Sequence, residues 1–266
     1  AEATLSLYES DAMTVESLGL KDIIIKGKKA KMVDMSKAFN ANVSDIFRNK
    51  YVSPRPSSTT LQIPTQGIGE WCHGTYCPEI NDSVFRSLAV GDRFDVEGIP
   101  FATPQHGKNI AFVSLWDNYP SALTIPVKAQ KASVAHILLA GSTNHMQTHM
   151  DNAIIIANYK DGTSDTLHLI PPFNYCPIEQ DFYVDGKAFQ TVEPRPVRIC
   201  LATGTVSRNL GTALSINSDE VYGREIPGGA AQLLSMPLSP SKKLHSFTLI
   251  PLSNDIVVGI MGITLR

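Results

Sequence analysis

The stretch Asn109–Thr124 reads NIAFVSLWDNYPSALT, and a second stretch, Asn158–Leu169, reads NYKDGTSDTLHL. In both, β-forming residues alternate with polar ones, and Asn, Asp, Gly or Pro interrupts the alternation. Alternation with a period of two is typical of strands that bury one face and expose the other. Together the two stretches indicate an antiparallel β-sandwich.

The same rhythm extends outward from these stretches, from residue 93 to the last residues of the chain. Turn pairs such as Asp161-Gly162 and Asp185-Gly186 separate the segments, and no long helical periodicity follows residue 90. About ten short strands with frequent turns are typical of a jelly-roll sandwich. The expected strands are Arg93–Val96, Ile110–Leu115, Ala122–Val127, Ser133–Ala140, Ala153–Tyr159, Thr166–Ile170, Arg198–Ala202, Gln232–Pro237, Ser246–Leu252 and Val257–Leu265.

The first ninety residues are expected to be irregular. Leu20–Ile25 and Lys31–Val33 predict short strands, and Ser36–Phe47 predicts a helix with Ser36 as its N-cap. Prolines make Tyr51–Gly69 an extended wrapping segment. The fold class expected is therefore an all-β, galactose-binding-like jelly-roll sandwich in one domain over residues 1–266. Residues 1–90 form its irregular N-terminal part with one short helix, and residues 91–266 form the main strands.

The last segment, Asp255–Arg266, is apolar almost throughout. Such a run predicts a central strand that is covered on both faces. Gly259 and Gly262 would permit a close approach or a bulge.

Composition excludes some partners. The 266 residues carry a net charge of −2 and no basic stripe, which argues against nucleic acid as a partner. The four lysines in Lys26–Lys31 are interpreted as the charged edge of a sheet. No apolar run approaches the roughly 20 residues of a membrane-spanning helix, so no membrane span is expected.

The four cysteines, Cys72, Cys77, Cys176 and Cys200, favour buried thiols, with one local disulfide as the alternative in an oxidising compartment. Zinc is a weaker alternative. Cys72-His73-x3-Cys77 and His145-x3-His149 each suggest it, but structural zinc usually has tighter paired spacing and no second cysteine pair completes the set.

Sequence motifs of catalysis are missing: there is no Gly-x-Ser-x-Gly elbow, no P-loop and no His-Glu-x-x-His. A glycoside hydrolase would need two facing carboxylates. Glu70, Asp117, Asp161, Glu179 and Asp181 are the candidates, but each also fits a turn or a loop cap.

Sugar binding requires an aromatic ring for the apolar face of a pyranose and a few polar side chains for its hydroxyls. The loop-like stretch around the tryptophan in Trp-Asp-Asn-Tyr-Pro supplies both kinds of residue. The candidate ligand-binding residues are Trp116, Asp117, Asn118, Tyr119, Trp71 and Glu70. For each aromatic residue, burial inside the sandwich is the competing interpretation.

No cofactor is expected, with calcium as the alternative. Asp117, Asn118, Asp151 and Asn152 offer the loop oxygens that this hard cation prefers, although turn-capping explains the same residues.

Three stretches resemble galactose-binding-like jelly-roll modules that accompany bacterial glycoside hydrolases. They are Val33–Asn40, the Gly-Ile-Pro-Phe turn at Gly98–Phe101, and the hairpin Tyr159–Leu169. The chain is also similar to the uncharacterised C-terminal region of putative six-hairpin glycosidases of gut bacteria. That similarity rests on Thr60–Cys72, Ser114–Pro120, Ala140–Asn144, Ile178–Asp181 and Asn254–Arg266.

The resemblance implies a periplasmic or extracellular, non-catalytic module of a polysaccharide-processing system. Its partner would be a carbohydrate or a glycosidase catalytic domain. It carries over no catalytic residue, because the acid and base of that architecture belong to a separate helical barrel. A purely structural inter-domain module and a hydrolase that uses loop carboxylates are the two alternatives.

Overall fold

The computed structural model of the chain describes residues 13–22, 29–48, 78–115, 119–143, 147–182, 190–216, 225–254 and 256–266. Numbered along the chain, the strands are β1 (Lys31–Met32), β2 (Arg93–Val96), β3 (Ile99–Ala102), β4 (Ala111–Ser114), β5 (Leu123–Gln130), β6 (Val134–Ser142), β7 (Ala153–Tyr159), β8 (Ser164–Leu169), β9 (Val197–Cys200), β10 (Val206–Ser207), β11 (Ala230–Pro237), β12 (Leu244–Pro251) and β13 (Val257–Leu265). The helices are α1 (Ser83–Ser87), α2 (Leu210–Ala213) and a 3-10 turn at Val43–Asp45.

The strands form two main antiparallel sheets. The large sheet has the order β1-β13-β6-β11-β9-β10, and β4 shares with β1 the outer edge of β13. The small sheet has the order β5-β12-β7-β8, and β2 and β3 form a separate hairpin. The predicted all-β sandwich is therefore confirmed.

The inner core fills the space between the two main sheets. Side chains such as Ile137 of β6, Leu234 of β11 and Ile155 of β7 alternate inward and belong to one buried cluster. This inward alternation is the period-two pattern that the sequence shows.

The outer face of the large sheet is also covered. A second buried cluster joins Leu138 of β6 and Met261 of β13 to Phe85 of α1 and Phe101 of β3. Short helices and the β2–β3 hairpin thus form a third layer, which explains why every residue of β13 is buried. The prediction of a central strand covered on both faces is confirmed.

Both glycines of β13 are needed where they stand. A Cβ on Gly259 would lie 2.5 Å from Cγ1 of Ile110, and the pairing with β6 is irregular between Ile260 and Gly262. The expected close approach and the expected bulge are both present.

The helix predicted at Ser36–Phe47 is wrong: only the turn Val43–Asp45 is helical. The Asn40 side chain donates to the carbonyl of Phe112 at 2.8 Å and accepts from its N–H at 2.9 Å. Ala41 forms a bridge with Ile110. These long-range bonds hold the backbone extended against β4, so tertiary contacts override the helical pattern.

Strand prediction otherwise succeeds. The bounds of β2, β7 and β13 match residue for residue, and the other seven segments shift by a few residues at their ends. The two-residue β10, the hairpin strand β3 and helices α1 and α2 were missed. Leu20–Ile25 and Tyr51–Gly69 lie partly or wholly outside the described residues. No helix within the described ranges has the length and apolarity to cross a membrane.

Candidate ligand-binding cleft

Most of the predicted sugar-binding residues fall outside the described part of the chain: Trp116, Asp117, Asn118, Trp71 and Glu70. Tyr119 is described. Its ring is half-buried and lies 5.1 Å from the ring of Phe112, centre to centre, tilted by 49°. For Tyr119, the structure therefore places the ring partly in the outer core.

A cleft on the outer face of the large sheet gathers polar groups that the sequence did not single out. It has a volume of about 200 Å³. It is lined by Gly19, Leu20, Asp22, Glu97, Ile99, His136, Val197, Arg208, Leu233, Ser235 and Arg266.

The cleft contains a histidine–serine pair. His136 of β6 and Ser235 of β11 are directly paired across the two strands, and His136 Nδ1 lies 2.9 Å from Ser235 Oγ. Both residues alternate outward, between neighbours that point into the sandwich core. The backbone N–H of Ser235 also donates to the carbonyl of Gly19 at 2.7 Å, which closes one wall of the cleft.

The second ring nitrogen of His136 is the unusual feature of the cleft. The residue is only 1% exposed, yet Nε2 has no hydrogen-bond partner among the described residues. Burial, and then the nearby positive charge of Arg266, lowers the pKa of His136 to about 4. The ring is therefore neutral at pH 7, and a residue that lines the cleft keeps a buried nitrogen without a partner in the described ranges.

Within the described ranges, this pair lacks the third member of a serine hydrolase triad. In serine hydrolases a carboxylate orients the histidine through the nitrogen that does not face the serine. In the described part of the chain, no carboxylate bonds to His136 Nε2.

Charged side chains border the cleft on two sides. Arg208 donates to Asp22 Oδ1 at 2.5 Å and to the carbonyl of Arg195. Arg266 donates to the carbonyl of Gly98 at 2.8 Å. The Arg208–Asp22 ion pair and the guanidinium of Arg266 offer both donors and acceptors to a ligand that carries several hydroxyl groups.

The rest of the lining is apolar, with Leu20, Ile99 and Leu233 between the polar groups. At about 200 Å³ the cleft is smaller than the roughly 300–1,000 Å³ of pockets for drug-sized ligands. Size and lining therefore suit a small, uncharged or weakly charged polar molecule with one apolar face.

Two of the candidate carboxylates lie inside the protein. Glu179 is fully buried, and its Oε1 accepts a hydrogen bond from Ser142 Oγ at 3.0 Å. Burial raises the pKa of Glu179 to about 7. Its Oε2 and the hydroxyl of buried Tyr175 have no partner in the described ranges.

Asp181 is buried and bonded on both carboxylate oxygens. Oδ1 lies 3.4 Å from Arg198 Nη1, and Oδ2 accepts from the N–H of Gly211 at 2.6 Å. Arg198 also donates to the carbonyls of Gln180 at 2.5 Å and Pro177 at 2.8 Å. These bonds hold the loop after β8 to strand β9, which is a structural role.

Three further candidates are occupied by local bonds. Asp161 accepts from the N–H of Thr163 at 3.0 Å, as its turn interpretation predicts. Asn152 Nδ2 donates to the carbonyl of Gln147 at 2.9 Å, and Asp151 Oδ2 lies 2.9 Å from His168 Nδ1. Of these two calcium candidates, Asn152 caps its own loop, whereas Asp151 pairs with a histidine of β8.

The described cysteines, Cys176 and Cys200, are free and buried. Burial raises the pKa of the Cys176 thiol to about 12, so it is not a nucleophile at neutral pH. His149 stacks on Phe173 with ring centres 4.7 Å apart, whereas Cys72, Cys77 and His145 lie outside the described ranges. No group of three potential metal ligands occurs among the described residues.

The cleft was missed because its residues come from separate parts of the chain: a turn near residue 20, the β2–β3 hairpin, and the large sheet. One weak signal was available. His136 and Ser235 are polar residues inside strongly apolar strand segments, and buried polar residues without an obvious partner often mark a site.

No protein-family model matches this chain, and a search of curated proteins also finds no match.

Proposed function

We propose that the protein is a non-catalytic carbohydrate-binding module, and that the cleft around His136 holds one sugar ring of a glycan. The observation that carries the proposal is the unpaired, buried Nε2 of His136 within a cleft that also offers Ser235 and charged pairs. A sugar hydroxyl can both donate and accept, so it satisfies Nε2 in either tautomer of the neutral ring.

The apolar residues of the lining support the same proposal. A pyranose presents C–H groups on one face and hydroxyls at its edge, and Leu20 and Ile99 lie beside the polar groups that would bind such an edge. The structural role of Asp181, together with the missing orienting acid at His136, favours binding over catalysis.

Binding is tested by screening the protein against immobilised plant, host and bacterial glycans, followed by calorimetry with soluble fragments of those retained. His136→Phe keeps a flat ring but removes both nitrogens. It is expected to weaken binding about 10-fold, the effect of losing one to two hydrogen bonds.

The matched control is His168→Phe, because His168 lies on the small sheet and is half-exposed. The affinity of the His168→Phe variant for the retained glycan should equal that of the unmodified protein. If no glycan is retained, or if both variants bind as well as the unmodified protein, the proposal is wrong.

A further inference from the structure

A second depression, here called the basic pocket, adjoins the cleft, because Arg266 lines both. Its volume is about 220 Å³, and Lys29, Lys31, Lys131 and Gln130 contribute to its lining. Three of its side chains are therefore lysines, and no Asp or Glu of the described residues lines it.

No described acidic side chain neutralises the positive charge of the basic pocket. Lys29, Lys31 and Lys131 take part in none of the ion pairs among the described residues. The chain as a whole carries a net charge of −2, so this concentration of cations is local. An unneutralised basic pocket attracts anions.

The pocket has a fixed framework. Lys31 lies on β1 opposite Leu265 of β13, and its Nζ donates to Gln130 Oε1 of β5 at 3.0 Å. The edge position of Lys31 agrees with the sheet-edge interpretation of the lysine-rich segment, and it also directs this lysine toward the pocket.

Arg266 joins the two depressions and retains free donors. Its backbone N–H bonds to the carbonyl of Val134 at 3.0 Å, and its Nη2 donates to Gly98 at 2.8 Å. Its Nε is buried without a partner among the described residues. A guanidinium carries five N–H groups, so several remain for an anionic oxygen.

We propose that the glycan bound in the cleft is acidic, and that its anionic substituent, a sulfate ester or a uronate carboxylate, lies in the basic pocket against Lys31, Lys131 and Arg266. This inference rests on the proposed function. Charge-assisted hydrogen bonds from lysine and arginine suit both kinds of anion. Because Arg266 lines both depressions, an anion bound there would lie next to the sugar ring in the cleft.

Two matched pairs of probes test the inference by calorimetry. The first pair is a galacturonic acid trisaccharide and its fully methyl-esterified, neutral form. The second is a sulfated galactan oligosaccharide and its desulfated form. In at least one pair the acidic member should bind at least 10-fold more tightly, and which pair shows this identifies the anion.

Lysine variants test whether the preference for the acidic probe comes from the basic pocket. Lys31→Gln and Lys131→Gln should each weaken the acidic probe about 2- to 5-fold, the usual range for exposed charge pairs, and should leave the neutral probe unchanged. Lys160→Gln is the control, since Lys160 is exposed in the turn after β7 and away from the pocket lining.

The outcomes are distinguishable. Equal affinity for acidic and neutral members, with both bound, overturns the acidic-glycan inference and leaves the proposed function standing. Binding of neither member, while the screen retains another, neutral glycan, overturns the inference alone; if the screen also retains no glycan, the proposed function is wrong as well. Inorganic sulfate that binds as tightly as the sulfated oligosaccharide, and loses affinity in Lys31→Gln, also overturns the inference, because the ligand is then a free anion.

Discussion

Ser142 Oγ donates a 3.0 Å hydrogen bond to Oε1 of Glu179, and both side chains are buried at the end of the sandwich where β6 terminates. The other carboxylate oxygen has no partner among the described residues. Burial favours the protonated form of this carboxyl group, and it outweighs the hydrogen bond from Ser142, which favours the ionised form.

The first prediction concerns the pH dependence that Glu179 imposes. Its pKa is raised from 4.5 to about 7, mainly by burial. Below pH 4.5 both the folded and unfolded states hold the proton. Between pH 4.5 and 7 only the folded state holds it, so the free energy of unfolding falls as the pH rises, by about 3 kcal/mol in total. Above pH 7 this contribution is constant.

Glu179→Gln removes the titration and keeps an acceptor for Ser142. The variant is expected to be more stable than the unmodified protein at pH 8, and the difference should shrink toward pH 4.5. Urea unfolding at a series of pH values measures this difference. An equal stability difference at every pH would contradict the raised pKa of Glu179.

The second prediction is the opposite pH dependence from His136. Its pKa is lowered from 6.5 to about 4, so between these values only the unfolded state takes up the proton. Stability therefore rises with pH from about 4 to 6.5, which offsets the fall caused by Glu179 over most of that range.

Each of the two variants removes one titrating group, so its stability profile should show the titration of the group that remains. Glu179→Gln is expected to show a rising profile between pH 4.5 and 6.5, and His136→Phe a falling one. If both variants keep the profile of the unmodified protein, neither group titrates as described.

The third prediction compares two tyrosines. The hydroxyl of Tyr175 is buried without a partner, so Tyr175→Phe should leave the free energy of unfolding unchanged or raise it by up to about 1 kcal/mol. Tyr159 is the contrast: its hydroxyl bonds to Asp165 and accepts from the N–H of Ser239 at 2.9 Å. Tyr159→Phe should lower stability by about 1–2 kcal/mol.

Urea unfolding at pH 6 measures both tyrosine variants. A loss of stability in Tyr175→Phe as large as that in Tyr159→Phe would show that the Tyr175 hydroxyl has a bonding partner in solution.

The fourth prediction is that Arg198 is indispensable to the fold. Arg198→Met leaves Asp181 and the carbonyls of Gln180 and Pro177 without this donor, which should lower stability by about 3–5 kcal/mol. Arg93→Met is the control, since Arg93 pairs with Asp95 on an exposed hairpin. Its urea midpoint should not change measurably. Equal midpoints for the two variants would contradict the role given to Arg198.

The fifth prediction concerns β13, which pairs with β6 on one side and with β4 and β1 on the other. Deletion of Ile260–Arg266 removes most of these pairs and should abolish cooperative unfolding in a thermal melt followed by near-ultraviolet circular dichroism. Deletion of Arg266 alone leaves the strand intact and should still permit folding. A soluble, cooperatively melting Ile260–Arg266 deletion would show that the strand is dispensable.

Sequence patterns predict the strands of this protein well because burial in a sandwich is a local, period-two property. β7 alternates buried and half-buried residues, and β13 is buried throughout. The helix at Ser36–Phe47 was predicted wrongly, since a helical pattern of apolar residues does not reveal that Asn40 bonds to Phe112, 72 residues later.

The cleft could not be predicted because it depends on register. A shift of one residue between β6 and β11 would turn His136 or Ser235 into the sandwich interior. Arg208 and Asp22 meet only after the sheet has formed, although they are 186 residues apart. Long-range pairs of this kind leave no spacing signal in a single sequence.

The position of β13 in the large sheet also affects how the protein is made. Residues 257–265 are synthesised after every other strand of that sheet, yet β6 and β4 both bond to them. Until they emerge, a growing chain exposes two apolar strand edges, which are surfaces that favour aggregation. A cell that produces this protein must therefore keep the earlier strands of the large sheet from aggregating until β13 emerges.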